Sequence, residues 1–128
     1  MAETAVITNT RRELLCKVTS GKSSTMPPIT HIAFGAGGVN ANGNPIAPAS
    51  AQTTLNMELS RYAVASIEYP SPTVARYTAV IPADDLIGAK ISEAALIDAV
   101  GNLAAIKTMF VKQKDDGVEL VFVFDDEF

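Results

Sequence analysis

The residue types that most often carry chemistry are scarce in this sequence. It contains one cysteine, one histidine and no tryptophan among its 128 residues. Because a single cysteine can build neither an internal disulfide nor a cysteine-based zinc site, both are excluded, and a reducing compartment is the simplest expectation. The cysteine, Cys16, directly follows two leucines, which predicts a small buried hydrophobic residue rather than a reactive thiolate.

Long apolar runs and basic stripes are also missing. Nowhere do about 18 apolar residues follow one another, and the N-terminus has no apolar stretch, so neither a membrane span nor a signal peptide is expected. Lysine and arginine total 10 against 14 acidic residues, and they are not clustered. Because phosphate neutralisation needs clustered basic residues, nucleic-acid binding is not expected.

The sequence does contain enough apolar residues for a core. Hydrophobic residues make up 48% of the chain and aromatic residues 6%, so aliphatic side chains must fill the interior. A chain of this length folds without disulfides, and residues 1–128 are expected to form one domain. Charged residues make up 19%, below the roughly 25% of a typical soluble domain, which indicates that part of the surface is covered by something other than water.

The pattern along the chain predicts an α+β fold with an N-terminal helix packed on a mainly antiparallel β-sheet, interrupted by a long Gly/Asn loop. Thr10 and Glu13 have the spacing of a helix-capping box, and Gly21 is suited to end the helix. Such a short helix must dock to persist. It would do so through an apolar face made of Leu14, Leu15 and Val18.

Strands are expected after the helix. The predicted strands are 29–34, 62–69, 73–82 and 118–124, while 90–98 fits a strand or a short helix and 52–59 a helical turn. Asp115-Asp116-Gly117 is a hairpin signal that would join 107–114 to 118–124, because Asp-Gly readily takes positive φ. Both faces of the last strand are apolar, so that strand is expected to be central in the fold or covered by a partner.

No arrangement of residues predicts catalysis, a cofactor or a metal site. His31 lacks a nucleophile or a second ligand nearby in the sequence, and Asp84-Asp85 lies where a turn favours aspartate. The run from Gly35 to Gly38 has neither the Gly-Lys-Ser/Thr ending of a phosphate loop nor a helix after it, so it indicates a conformational need for glycine. The terminal run 125–127 is expected to be solvated, with a weak cation site as the alternative.

Low charge, a two-sided apolar last strand and the loop from Gly35 to Ala51 together favour a module that contacts other chains. Loops of that length tend to be functional. The segment before residue 10 could add a strand to a partner, the loop could insert, and the acidic end could complement a charged surface. The candidate interaction residues are Gly35, Gly37, Gly38, Asn40, Asn42, Asp125, Asp126 and Glu127.

Three segments form a recognisable set. Residues 30–38 read as an extended strand followed by Gly-x-Gly, and 55–62 match a Leu-x-Asn-Glu-x-x-Arg region with Met57 inserted. Residues 91–106 are similar to Ile-x-Glu-x-Gly-Leu-x-Asp-x-x-Gly-Asn-Leu-x-Ala, with Ala95 in place of the first glycine. In order and spacing, over roughly residues 5–110, the chain resembles the phage tail-collar fibre family.

The resemblance implies a role in assembly. In that family the N-terminal domain anchors tail or side fibres to the virion baseplate, and a distal shaft and tip bind the host. It implies a non-enzymatic structural protein of a phage tail or phage-derived particle, made in the host cytoplasm and placed in the virion. The implied partners are baseplate or tail-tube proteins and a tail-fibre protein, with the chain itself in a homotrimer or in symmetric ring copies.

Residues 91–106, the most specific of these segments, are expected to support the fold and not to carry out catalysis. Glu93, among apolar neighbours, is expected to accept backbone amides or to pair with Arg61 or Arg76 rather than to act as an acid or base. Asp98 and Asn102 are expected to cap the turn between them.

Two other classes of function stay open. A small host-surface or carbohydrate-binding module would need exposed aromatic rings, and the chain has three tyrosines and five phenylalanines, several of which the core requires. A hydrolase would depend on Asp84 or Asp85.

Overall fold

The computed structural model describes residues 3–128, with side-chain burial from residue 5 onward, and consists mostly of antiparallel strands. Strands take up 48% of the residues and helix 9%. The expected α+β class is therefore wrong, because the fold is mainly β with one short helix in the described range. The elements are β1 (Glu3–Ile7), α1 (Asn9–Thr19), β2 (Ile29–Gly35), β3 (Glu58–Ala63), β4 (Ser66–Ser71), β5 (Val74–Ile81), β6 (Lys90–Asp98), β7 (Leu103–Gln113) and β8 (Leu120–Glu127).

The strands form two sheets that face each other. One sheet has five strands in the order β1-β7-β6-β2-β3, and the other has three in the order β4-β5-β8. Side chains from both sheets, including Ile32 and Phe34 of β2 and Phe122 of β8, share one buried cluster. The rings of Phe34 and Phe122 meet edge to face with their centroids 5.2 Å apart. The architecture is therefore a β-sandwich with an aromatic and aliphatic interior.

The outer face of the five-stranded sheet is covered by the long loop 36–57. A second buried cluster lies there, in which Leu55 of the loop packs with Ala95 and Ile97 of β6. The Thr108 hydroxyl of β7 donates a hydrogen bond of 2.7 Å to the Ile46 carbonyl of the loop. Because β6 is covered on both faces, its residues from Ile91 to Asp98 are all buried, which explains its nearly continuous apolar sequence.

Helix α1 connects the two sheets instead of lying on one of them. Its N-cap is Thr8, whose hydroxyl oxygen accepts from the Arg11 N–H at 3.2 Å while the hydroxyl donates to the Leu103 carbonyl of β7 at 2.6 Å. Arg11, the only buried residue of the helix, forms an ion pair with Asp126 of β8. One end of the helix is thus fixed to the five-stranded sheet and to the three-stranded sheet at once.

Two expectations for the helix are wrong, its N-cap and the burial of Cys16, and one is confirmed, its end at Gly21. The cap is Thr8 and not Thr10, since the backbone is already helical from residue 9. Cys16 is exposed and not buried, because the helix is anchored through Arg11 and its apolar face is only half-buried. The end of the helix at Gly21 is confirmed, as this glycine has a positive φ of 84° just after the C-cap Ser20.

Several strands follow the expected ranges, but two connections differ. The ranges 29–34 and 73–82 are confirmed by β2 and β5, and 90–98 is a strand. The expected strand 62–69 is divided, because the chain passes from one sheet to the other at Val64 and Ala65, whose N–H groups bond to Thr30 in β2 and to Thr78 in β5. The expected helical turn 52–59 is irregular and leads directly into β3.

The turn at Asp115-Asp116-Gly117 exists, with a φ of +74° at Gly117, but it does not make a hairpin. β7 and β8 belong to different sheets, and β8 pairs with β5 from Val74↔Glu127 to Ile81↔Leu120. Lys114 helps to hold this crossing, because its buried ammonium donates to the carbonyls of Ala83 at 2.9 Å and Asp115 at 3.3 Å.

Candidate interaction site

The base of the long loop is built around a buried carboxylate. Glu93 of β6 is fully buried, and its Oε2 accepts from the N–H groups of Gly37 at 2.9 Å and Met57 at 2.7 Å. Its Oε1 accepts from the Asn56 N–H at 2.9 Å. Both ends of the loop are thus tied to one side chain, which confirms that Glu93 accepts backbone amides.

The glycines at the start of the loop are required by close approach to β6. A Cβ on Gly35 would lie 2.5 Å from Oε2 of Glu93, and a Cβ on Gly38 would lie 2.0 Å from the carbonyl oxygen of Ser92. The Gly38 N–H also donates to the Ser92 hydroxyl at 2.9 Å. Gly35 and Gly38 are buried and Gly37 is half-buried. These three candidate residues therefore position the loop and do not form its outer surface.

Replacing Gly38 by alanine is expected to lower the free energy of unfolding by about 3 kcal/mol, because the methyl group would overlap backbone atoms that cannot move aside. Gly43→Ala in the same loop is the matched control. Its φ is +81° but nothing lies within 4 Å of the added carbon, so a loss of about 1 kcal/mol is expected. Urea unfolding followed by circular dichroism measures both. Equal losses would contradict the close approach to Ser92 as the cause.

The tip of the loop is a turn organised by asparagine. Oδ1 of Asn40 accepts from the N–H groups of Asn42 at 2.9 Å and Asn44 at 3.0 Å. Gly43 completes the turn with its positive φ. Asn40 therefore shapes the tip, while the exposed side chain of Asn42 extends from it and is the loop candidate best placed to meet a partner.

The three acidic residues at the end of β8 have three different surroundings, since neighbouring side chains of a strand point to opposite faces. Asp125 lies on the outer face and pairs with Arg76 at 2.8 Å; this hydrogen bond lowers the pKa of Asp125. Asp126 points inward, where its two oxygens accept from Arg11 at 2.7 and 2.6 Å. Glu127 is exposed. The expectation of a solvated acidic run is wrong for Asp126, which is buried against the helix.

The outer face of β8 is exposed, although the sequence predicts a strand that is covered on both faces. β8 lies at the edge of the three-stranded sheet and not at its centre. Val121 and Val123 on its outer face are 55% and 41% exposed. The central position expected for this strand is therefore wrong, since half of its apolar pattern faces away from the core, and cover by a partner stays a prediction.

The candidate catalytic residues His31 and Asp85 each contact a different neighbour. Nδ1 of His31 lies 2.8 Å from the Thr30 hydroxyl, and Asp85 accepts from the Tyr62 hydroxyl at 3.2 Å. Over residues 3–128 no cluster of three or more His, Cys, Asp or Glu side chains could hold a metal ion. Asp98 caps its turn as expected, because its Oδ1 accepts from the N–H groups of Val100, Gly101 and Asn102 at 2.9–3.0 Å.

One further groove was not indicated by the sequence. It has a volume of about 200 Å³ and lies beside the helix, where Leu15, Pro28, Tyr77 and Phe128 contribute to its walls. The Pro27-Pro28 pair predicts only an extended segment, so the meeting of this segment with Tyr77 and Phe128 depends on tertiary contacts. Among the described elements no helix has the length and apolar character needed to cross a bilayer.

The sequence pattern and this architecture agree with a known family. The family model described as "Phage tail-collar fibre protein, N-terminal" matches residues 1–119. The match includes the glycine segment, the loop and Glu93, whereas β8 begins after it. No curated protein and no solved structure matches the chain. The chain therefore belongs to the phage tail-collar fibre proteins and is a structural component of a phage tail.

Proposed function

We propose that residues 1–128 form one attachment domain that joins a tail fibre to the baseplate or tail tube of the virion. The observation that carries this proposal is the family match over residues 1–119, because the family is one of tail fibre proteins and the matched part is N-terminal. The proposal places the chain in a homotrimer or in symmetric ring copies, where each copy contributes the same surfaces.

The arrangement of the sandwich supports a connecting role. The loop 36–57 covers the outer face of the five-stranded sheet, and β8 exposes its valines on the outer face of the three-stranded sheet. These two faces lie on opposite sides of the sandwich. One domain thus offers two separate contact surfaces, a polar loop tip and an apolar strand, as a link between two different proteins requires.

Mixing the purified chain with the baseplate, tail-tube and fibre proteins of the same phage tests this proposal. We expect co-purification of the chain with at least one of them and a copy number above one by light scattering. Asn42→Arg, at the exposed tip of the loop, is expected to weaken the affinity about tenfold if the tip is buried at the interface. Thr53→Arg, an exposed position near the base of the loop, is the matched control and should bind normally.

Two results would contradict the proposal. One is a chain that stays monomeric and binds none of these tail proteins. The other is saturable binding in a glycan screen without any binding to tail proteins, which would favour the host-surface or carbohydrate-binding alternative.

A further inference from the structure

The free edge of β8 is open to another strand. β8 pairs with β5 on one side, and no strand in residues 3–128 pairs with its other side. Such an edge presents unpaired backbone N–H and C=O groups, and proteins usually protect it with proline, inward charges or a short strand. The opposite edge of this sheet, β4, contains Pro70. β8 has eight residues and no proline, and its one inward charge, Asp126, is already paired with Arg11, so the edge is less protected than that of β4.

A groove lies beside this open edge. It has a volume of about 160 Å³. Its walls are apolar where β1, β7 and Phe124 contribute, through Ala5, Ile7 and Ala105, and acidic along the end of β8 at 125–127. β1 is the edge strand of the other sheet, so the sandwich is open on this side between two strand edges. A strand added to β8 would direct every second side chain towards this groove, whose apolar residues favour apolar side chains.

The outer face of β8 carries a charge pattern that restricts the partner. Along this face of the strand the residues are Val121, Val123, Asp125 and Glu127, and Glu119 directly precedes the strand. The charge of Asp125 is compensated by Arg76. Glu119 and Glu127 are exposed, and neither forms an ion pair with any side chain in the described part of the chain. The face therefore has an apolar centre with the uncompensated Glu127 at one end, and the uncompensated Glu119 lies just before the other end.

We propose that β8 binds an extended segment of a partner chain that has apolar residues at its centre and lysine or arginine at both ends. The segment becomes the fourth strand of the sheet β4-β5-β8. Cross-strand pairs of opposite charge are favourable and like charges are unfavourable, so the two glutamates select basic ends. This inference rests on the proposed attachment role, since it names the kind of segment that a tail partner would supply.

A second copy of this chain is a poorer occupant of the same edge. An antiparallel pair of β8 strands centred on Val123 would place Glu119 of one copy opposite Glu127 of the other. Both ends of that pairing would bring like charges together. The charge pattern that favours a basic segment thus disfavours the symmetric dimer.

A synthetic peptide of sequence KTSVVVVTK, capped at both ends, is the probe for this inference. Because it has lysine at both ends, it meets the two glutamates in either strand direction. We expect slower hydrogen exchange at β8 amides in its presence and saturable binding by fluorescence anisotropy. The matched peptide ETSVVVVTE should bind roughly three- to tenfold more weakly.

Charge reversal in the protein provides the decisive control. In the double variant Glu119→Lys with Glu127→Lys, the preference should reverse, so that the glutamate peptide binds more tightly than the lysine peptide. Both positions are exposed, and circular dichroism would show whether the variant keeps its fold. A preference that does not change, protection confined to β1, or concentration-dependent dimerisation through β8 would each overturn the inference.

The outcomes separate this inference from the attachment role. Co-purification with tail proteins that is unaffected by the double variant, together with no peptide binding, would leave the attachment role standing and remove β8 as its site. Peptide binding with reversed preference in a chain that binds no tail protein would support the β8 site and contradict the attachment role.

Discussion

Replacing Arg11 by alanine is expected to lower the free energy of unfolding by about 3–5 kcal/mol. Asp126, only 3% exposed, would lose both of its short hydrogen bonds and stay buried as an unpaired charge. The substitution also removes the guanidinium that lies 5.1 Å from the ring centroid of Phe128. Urea unfolding at neutral pH, followed by circular dichroism, measures the loss.

The ion pair of Arg76 on β5 with Asp125 on β8 is a matched control, because its acidic residue is the strand neighbour of Asp126. It joins the same two residue types with distances of 2.8 and 3.1 Å, but both side chains are more than a third exposed. Arg76→Ala is therefore expected to lower the free energy of unfolding far less than Arg11→Ala, because water screens the exposed pair. The double variant Arg11→Met with Asp126→Leu should recover part of the loss, because no buried charge remains. An Arg11→Ala variant as stable as Arg76→Ala would contradict the argument.

The ion pair of Arg11 with Asp126 also shows why the packing of the helix, and with it the fold class, could not be predicted. The helix was expected to dock through Leu14, Leu15 and Val18, since apolar spacing is the signal that a sequence displays. Its actual anchor is a charged residue whose partner lies 115 positions further along the chain. Neither residue marks the other in the sequence, so the position of the helix at the junction of the two sheets could not be derived from local pattern.

For the strands, too, local sequence pattern predicts where a strand lies but not which strand it pairs with. β2 and β5 were predicted because apolar and β-branched runs between turn signals depend only on neighbouring residues, whereas 90–98 fitted a strand or a short helix equally until its pairing with β2 and β7 was known. The predicted hairpin of 107–114 with 118–124 is wrong, because the turn at Asp115-Asp116-Gly117 specifies a change of direction and not which sheet the chain enters. The crossing depends on tertiary contacts of Lys114 with the segment around Ala83.

For the candidate site, the roles of single residues were predicted, but the contacts between them were not. The buried role of Glu93 followed from its position among apolar residues, and the need for glycine at 35–38 followed from the lack of any phosphate-binding pattern. That these two features meet could not be predicted, because the hydrogen bonds of Glu93 reach Gly37 at one end of the loop and Asn56 at the other. The sequence places these three residues far apart.

Glu93→Ala is expected to lower the free energy of unfolding by about 4 kcal/mol. Three N–H groups lose a charged acceptor, and each such hydrogen bond typically contributes about 1.5–3 kcal/mol, part of which water can replace where the loop loosens. Glu93→Gln should cost about half as much, because the remaining oxygen can still accept from Gly37 and Met57 while the new amide group faces Asn56.

Hydrogen exchange distinguishes loss of the loop anchor from general destabilisation. In Glu93→Ala the amides of Gly37, Asn56 and Met57 should exchange faster relative to those of β2 and β5, because loop 36–57 is released before the sandwich opens. Glu58→Ala is the control, since the carboxylate of Glu58 is exposed and contacts only Arg61 among its described partners. It should cost less than about 1 kcal/mol and leave the loop amides unchanged. Uniform acceleration of all amides in Glu93→Ala would mean that Glu93 supports the whole sandwich and not the loop. The loop would then be held by the hydrogen bonds of Ile46 with Thr108 and of Ser50 with the Asn9 N–H at the helix start.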